Sequence, residues 1–99
     1  ASGIMPVVCI NDIEDAVPTA QALLKGGLRV MEIVLRSDAS LLSLERIAKD
    51  VPDMLIGAGT VLSIHQAEQA VAAGARFLVA PGLNISLVKW AQTRHVVII

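Results

Sequence analysis

Residues 26–37 read Gly26-Gly27-Leu28-Arg29-Val30-Met31-Glu32-Ile33-Val34-Leu35-Arg36-Ser37. A helix stop, an apolar strand and a helix cap follow one another here without a gap. The glycine pair suits the left-handed conformation in which helices end. Val30 to Leu35 has the β-branched and aliphatic composition of a strand. Ser37-Asp38 can cap a helix that carries Leu41, Leu42, Leu44, Ile47 and Ala48 on one apolar face. Pro52 ends that helix, because proline lacks the amide needed to continue it.

The same order recurs on both sides. Upstream, Val7-Val8-Cys9-Ile10 is a strand-like run. Asn11 to Val17 follows with Asp12, Glu14 and Asp15, acidic residues that favour a helix N-terminus. Pro18 is tolerated in a first turn, and the helix continues through Ala20, Ala22, Leu23 and Leu24 to the glycine pair. Downstream, Met54 to Ala58 is a third strand, followed by Gly59-Thr60. Ser63 and Gln66 then read as a capping box, ahead of a helix with Ala67, Ala70 and Val71 that Gly74 closes. Phe77 to Ala80 is a fourth strand, Pro81-Gly82 a turn, and Asn84 a cap for a helix through Leu87, Val88 and Ala91. Val96 to Ile99 is a fifth strand.

Strands that read as continuous apolar runs are covered on both faces, and their alternation with helices argues a parallel α/β sheet. An internal echo sets the size of the unit: Gly27 aligns with Gly74 and Arg29 with Arg76, an offset of 47 residues over two units. Eight such units need roughly 190 residues, at the small end of the (β/α)₈ barrel range. Residues 1–99 are therefore expected to be the first half of one TIM-barrel domain, four βα units plus a fifth strand. The alternative is a small open sheet of the flavodoxin type. Its phosphate-binding glycine should follow the first strand, where Asn11-Asp12-Ile13 has none.

Composition removes other classes. The chain is 55% hydrophobic and 17% charged, too apolar for a disordered segment. Eight basic and nine acidic side chains leave a net charge of -1, so no general attraction to nucleic acid or an anionic membrane is expected. The apolar run Ile4 to Ile10 is broken by Pro6 and far shorter than the ~20 residues of a spanning helix. No basic region precedes it, so no signal peptide is expected. A lone Cys9 excludes a disulfide scaffold and suits a reducing, cytoplasmic setting.

Alternation in the second strand places Met31, Ile33 and Leu35 on one face and Val30, Glu32, Val34 and Arg36 on the other. A carboxylate inside a strand core is unfavourable unless it is paired or hydrogen-bonded, so a partly exposed edge residue or a member of a buried ion pair is an equal reading of Glu32. Glu32 and Arg36 stand ~13 Å apart along an extended strand, too far to pair with each other. Both can address one ligand from different depths, with Arg36 at the C-terminal rim where barrel active sites lie. Gly57-Ala58-Gly59-Thr60 ends the third strand, where glycine allows close backbone approach to a ligand. Ala80-Pro81-Gly82 ends the fourth. A turn that merely needs glycine explains each of these last two in isolation; their shared end of successive strands is the stronger signal. His65, in a first helical turn, is expected at the surface, and His95 precedes the fifth strand at the end opposite the proposed site. No histidine or cysteine spacing suggests a metal site. Trp90 and Cys9 are expected to pack in the interior.

GGLRVMEIVLRS, with GAGTVL and APGL at their spacings, resembles the bacterial 2-keto-3-deoxy-6-phosphogluconate (KDPG) and 4-hydroxy-2-oxoglutarate (KHG) aldolase family. PVV and NDIEDAVP are similar to that family's first strand and helix, so the likeness covers essentially the whole chain. Val34 and Ser37 stand where the family usually has threonines. The resemblance implies a (β/α)₈ barrel that works without metal or cofactor. A lysine forms a Schiff base with the substrate's keto group, and carbon–carbon cleavage yields pyruvate and an aldehyde. It also implies that Glu32 is the general acid/base, that Arg36 and Thr60 hold the pyruvate carboxylate, that Pro81 lines the site, and that the complete domain is a homotrimer. The family's Schiff-base lysine lies on strand 6, beyond Ile99. Lys25, Lys49 and Lys89 all fall on helices and lack the desolvated pocket such an amine needs. These residues alone are therefore expected to be inactive. A truncated or engineered half-barrel that self-associates is the alternative, because unpaired edges and an uncovered apolar face invite association. A phosphate-sugar isomerase or synthase barrel fits less well, since the Glu32–Arg36 pattern is not expected there.

Overall fold

The computed structural model describes residues 5–82 and 85–99. Ile4, and the expected cap at Asn84, lie outside them. Strands β1 (Val7–Val8), β2 (Val30–Val34), β3 (Leu55–Gly59), β4 (Phe77–Leu78) and β5 (Val97–Ile98) alternate with helices α1 (Ala16–Lys25), α2 (Asp38–Asp50), α3 (Ile64–Ala73) and α4 (Ile85–Arg94). The five strands form one sheet in the order β1-β2-β3-β4-β5, every neighbouring pair parallel. This sequential order is the winding of a barrel. A flavodoxin-type sheet interleaves its first strands instead. Right-handed crossovers between sequential parallel strands return every helix to the same face.

The local signals act where the sequence placed them, with three differences. Ser37 and Ser63 accept hydrogen bonds from the amides of Ser40 and Gln66, capping α2 and α3. The Gln66 side chain, however, accepts from the Leu62 amide rather than from Ser63, one residue short of a reciprocal capping box. Asn11 to Asp15 is not yet α-helical: Asp12 caps a short 3₁₀ turn, Ile13–Asp15, before α1 begins. The first and fourth strands are shorter than expected, confined to Val7–Val8 and Phe77–Leu78, although Ile10 beyond the first is still buried.

The internal echo is a repeated helix ending. Gly27 (φ 91°) and Gly74 (φ 112°) are both left-handed. Leu28 donates to the Leu23 carbonyl and Gly27 to that of Leu24; Ala75 and Gly74 make the same pair of bonds to Ala70 and Val71. This is the double hydrogen bond of a Schellman ending, which satisfies the last carbonyls of the helix. It launches β2 and β4 in equivalent positions.

Strand register sorts the sheet into two faces. Val8, Ile33, Ala58, Leu78 and Ile98 align across one face, and Ile33, Ala58 and Leu78 are fully buried in the core with Leu44, Ile47, Ala67 and Ala70 of the helices. Val7, Glu32, Gly57, Phe77 and Val97 align across the other. That inner row is open at its flanks, since Val7 and Val97 are each 60% exposed. The helix-covered face thus supplies the core, and removing its central side chain leaves a cavity. Ile33→Ala is expected to lower the stability of the chain by about 2–5 kcal/mol, whereas Val7→Ala on the open flank changes it by less than about 0.5 kcal/mol. Urea denaturation of the two variants checks this.

Candidate active site at the C-terminal strand ends

Because all five strands run the same way, the segments that follow them collect at one end of the sheet. Arg36 lies just past β2, Thr60 just past β3, and Pro81-Gly82 just past β4. Glu32 stands inside this rim on the inner face, paired in register with Val7 on one side and Gly57 on the other.

Strand β3 presents glycine twice to that face, at Gly57 and Gly59. Its neighbours fill the space left by the missing side chains. The ring of Phe77 lies where a Cβ on Gly57 would be, and the Glu32 carboxylate lies where a Cβ on Gly59 would be. Glu32 is consequently only 6% exposed although its face is open at both flanks. Among the described residues no hydrogen bond or ion pair reaches its carboxylate. Burial of the charged form without compensation pushes the Glu32 carboxyl above its usual 4.5.

Thr60 is held in a left-handed conformation with φ 59°. This is unusual for a β-branched residue and strains the backbone. Its neighbours impose it. The Gly59 carbonyl accepts from the Leu35 amide at 3.0 Å, and the Val61 amide donates to the Val79 carbonyl at 3.1 Å. The turn is therefore tied to β2 on one side and to the end of β4 on the other.

Arg36 is exposed, with its backbone amide donating to Ser40 Oγ at the start of α2. Its Nη1 reaches across to Cys9, at 3.7 Å from Sγ. Cys9 is thus not the core residue expected of it. Val8 takes the helix-facing side of the first strand, so alternation turns Cys9 to the open inner face, where it is exposed. Pro81 is exposed at the rim, and Gly82 takes the left-handed turn (φ 79°) that follows it.

Of the predicted site residues, the structure brings Glu32 and the Gly59-Thr60 turn into direct contiguity. Arg36 and Pro81 stand at the same end on the flanking connections. Sequence reasoning took the glycines as an approach path for a ligand; here they admit Glu32 and Phe77 instead. Alternation along β3 puts Gly57 and Gly59 on one face, and the register with β2 and β4 decides which side chains fill it. His65 is exposed, as expected, and His95 is exposed as well. Trp90 packs against the core, and Arg94 lies over its ring at 5.5 Å. A groove of about 640 Å³ elsewhere is lined by Val17 and Pro18 of α1 and Leu42 and Arg46 of α2, on the helical layer, and contains none of the strand-end residues.

The desolvated carboxylate links stability to pH. The folded chain binds the Glu32 proton more tightly than the unfolded chain does. This contribution is therefore fully present below 4.5 and is lost as pH rises through the elevated folded value. Glu32→Gln is expected to become progressively more stable than the parent chain as pH rises from below 4.5 to neutrality. Urea midpoints for both across that range would show parallel curves if Glu32 titrated normally.

Comparison with known proteins agrees with this architecture. The family model for KDPG and KHG aldolase matches residues 1–99. The chain is 45% identical over 91 residues to the 2-dehydro-3-deoxy-phosphogluconate aldolase of Dickeya dadantii, covering 92% of this chain and 43% of that protein. It is 43% identical over 88 residues to the KHG/KDPG aldolase of Escherichia coli K12, covering 89% and 41%. The KDPG aldolase of Legionella pneumophila, solved with pyruvate captured at low pH as a covalent carbinolamine intermediate, superposes with a TM-score of 0.94 at 42% identity, covering all of this chain and 48% of that one. The chain spans less than half the length of these relatives. Sheet order, strand-end motifs and sequence identity agree that this chain belongs to the KDPG and KHG aldolase family.

Proposed function

We propose that these residues supply the first half of a class I aldolase barrel, which cleaves a 2-keto-3-deoxy-6-phosphosugar acid or 4-hydroxy-2-oxoglutarate to pyruvate and an aldehyde. The single observation that carries this reading is the buried, unpaired Glu32 carboxylate at the strand ends, beside Gly59 and Thr60. A carboxyl whose affinity for protons is raised by burial holds a proton more readily than a solvated one and can return it to a substrate.

In this scheme the amine that forms the Schiff base comes from the second half of the barrel. Lys25, Lys49 and Lys89 all lie on helices here, away from the strand ends. The lysine nitrogen adds to the substrate keto carbon, and the carbonyl oxygen leaves as water with a proton delivered by Glu32. The Glu32 carboxylate then takes the proton of the substrate hydroxyl, and the adjacent carbon–carbon bond breaks to release the aldehyde. The iminium receives the electron pair as an enamine. Reprotonation of carbon and hydrolysis release pyruvate. Arg36 and Thr60 hold the keto-acid carboxylate, with a guanidinium able to make two parallel hydrogen bonds to it. Pro81 borders the pocket. The complete enzyme is proposed to be a cytoplasmic homotrimer.

The open inner face favours a second, non-catalytic reading. Val7, Val97 and Ile99 leave apolar surface uncovered at the edge strands and Leu55 at the start of the central strand, and a half-barrel of this kind can self-associate. Sedimentation at high concentration tests it, and a clean monomer removes it.

Borohydride trapping with labelled pyruvate tests the first reading. The chain alone is expected to stay unlabelled, and the chain joined to the C-terminal half of the Legionella pneumophila relative to take one label. Labelling of the chain alone would refute the assignment of the lysines. In the joined barrel, Glu32→Gln is expected to lower kcat by about 10²–10⁴-fold.

A further inference from the structure

Most glycines with a structural duty here serve the backbone. Gly27, Gly74 and Gly82 have positive φ and end helices or make turns. Gly59 does not have positive φ; it lies within β3, paired in register with Val34. Strand backbone of this kind accepts any L-residue, so conformation does not explain the glycine.

Space does. A Cβ at Gly59 would stand 2.6 Å from Cδ and 2.8 Å from Cγ of Glu32, with Oε2 also in collision. The backbone beneath cannot retreat, because the Gly59 carbonyl is bonded to the Leu35 amide and the next residue but one, Val61, is bonded to Val79. The yielding partner is the end of the Glu32 side chain, which can rotate about its own bonds and makes no hydrogen bond among the described residues.

We propose that Gly59 is the positioning residue of the Glu32 carboxylate: its absent side chain is the seat that fixes where the carboxylate stands between the Thr60 turn and the Arg36 rim. This rests on the reading of Glu32 as the proton-moving group. The seat has neighbours of defined character on every strand around it. Val7 of β1 is in register with Glu32, the Phe77 ring of β4 lies over the adjacent Gly57, and Arg36 and Thr60 follow β2 and β3 at the same end, with Arg36 in contact with Cys9. Arg36 is the cation among these, and its Nη1 is engaged with Cys9. Among the described residues the acid is seated by steric fit.

The experiment is Gly59→Ala, read in two ways. In this chain, the Glu32 carboxyl carbon is followed by ¹³C NMR across pH, and the substitution is expected to bring its titration back toward the usual carboxylate range while the backbone spectrum stays folded. In the joined barrel, kcat is expected to fall about 10²-fold with KM changing by less than about threefold, the pattern of a misplaced reacting group. Glu32→Asp supplies the second variant, because it withdraws the carboxylate by one methylene from the contested space. Gly59→Ala is expected to cause no further loss of kcat once Glu32 is aspartate. The proposal is overturned if the Glu32 titration is unchanged by Gly59→Ala, or if Gly59→Ala lowers kcat equally in the parent and Glu32→Asp backgrounds. Should Glu32→Gln retain full kcat, the proton-transfer reading fails separately, and the titration alone still decides the seat.

Discussion

A glutamate buried on the inner face of β2, in the space that Gly59 leaves free, is the constraint around which this half-barrel is arranged. Glu32 has the register of an interior strand residue, yet among the described residues no hydrogen bond or ion pair compensates its charge. Such a group is unfavourable for folding whenever it is ionised. It persists because the opposite face of the same strand contributes so much: Met31 and Ile33, on either side of it in sequence, are fully buried under the helices. Burial of a large aliphatic side chain is worth roughly 1.5–3 kcal/mol. The strand is anchored by one face and is therefore free to carry chemistry on the other.

That division of labour depends on β3. A strand between two functional neighbours would ordinarily fill its own inner face with side chains. Here Ala58 packs against the helical layer while Gly57 and Gly59 leave the inner face bare, so β2 and β4 reach over it from either side. The Phe77 ring over Gly57 and the Glu32 carboxylate over Gly59 are consequences of the same device. The device also explains why Glu32 is buried on a sheet face whose edge residues are largely exposed.

The strain at Thr60 belongs to this arrangement. Two interstrand hydrogen bonds, one to Leu35 and one to Val79, hold the chain on either side of the left-handed residue. A rigid turn immediately after the seat keeps the strand end from relaxing away from the carboxylate. Rigidity of this kind is what a site needs when it orients a reacting group by packing, because a loose wall would allow the charged end to drift toward solvent.

What the sequence determined by itself was the order and kind of the elements. Gly26-Gly27 and Gly74, the serines at 37 and 63, and the apolar runs between them act through short-range chemistry, and short-range chemistry is legible in a single chain. Strand alternation also placed Glu32 on the face opposite Met31 and Ile33, because side-chain direction along a strand is a local property. Only the tertiary structure decided what that face met. Whether Glu32 would find a charge, a solvent edge or an empty space depended on the register of β2 with β3, which pairs Val34 with Gly59 and is set by residues far apart in sequence. For the same reason Cys9 read as core from its composition and proved exposed. Its run is apolar throughout, and nothing local told which of its side chains turn toward the helices and which toward the open face.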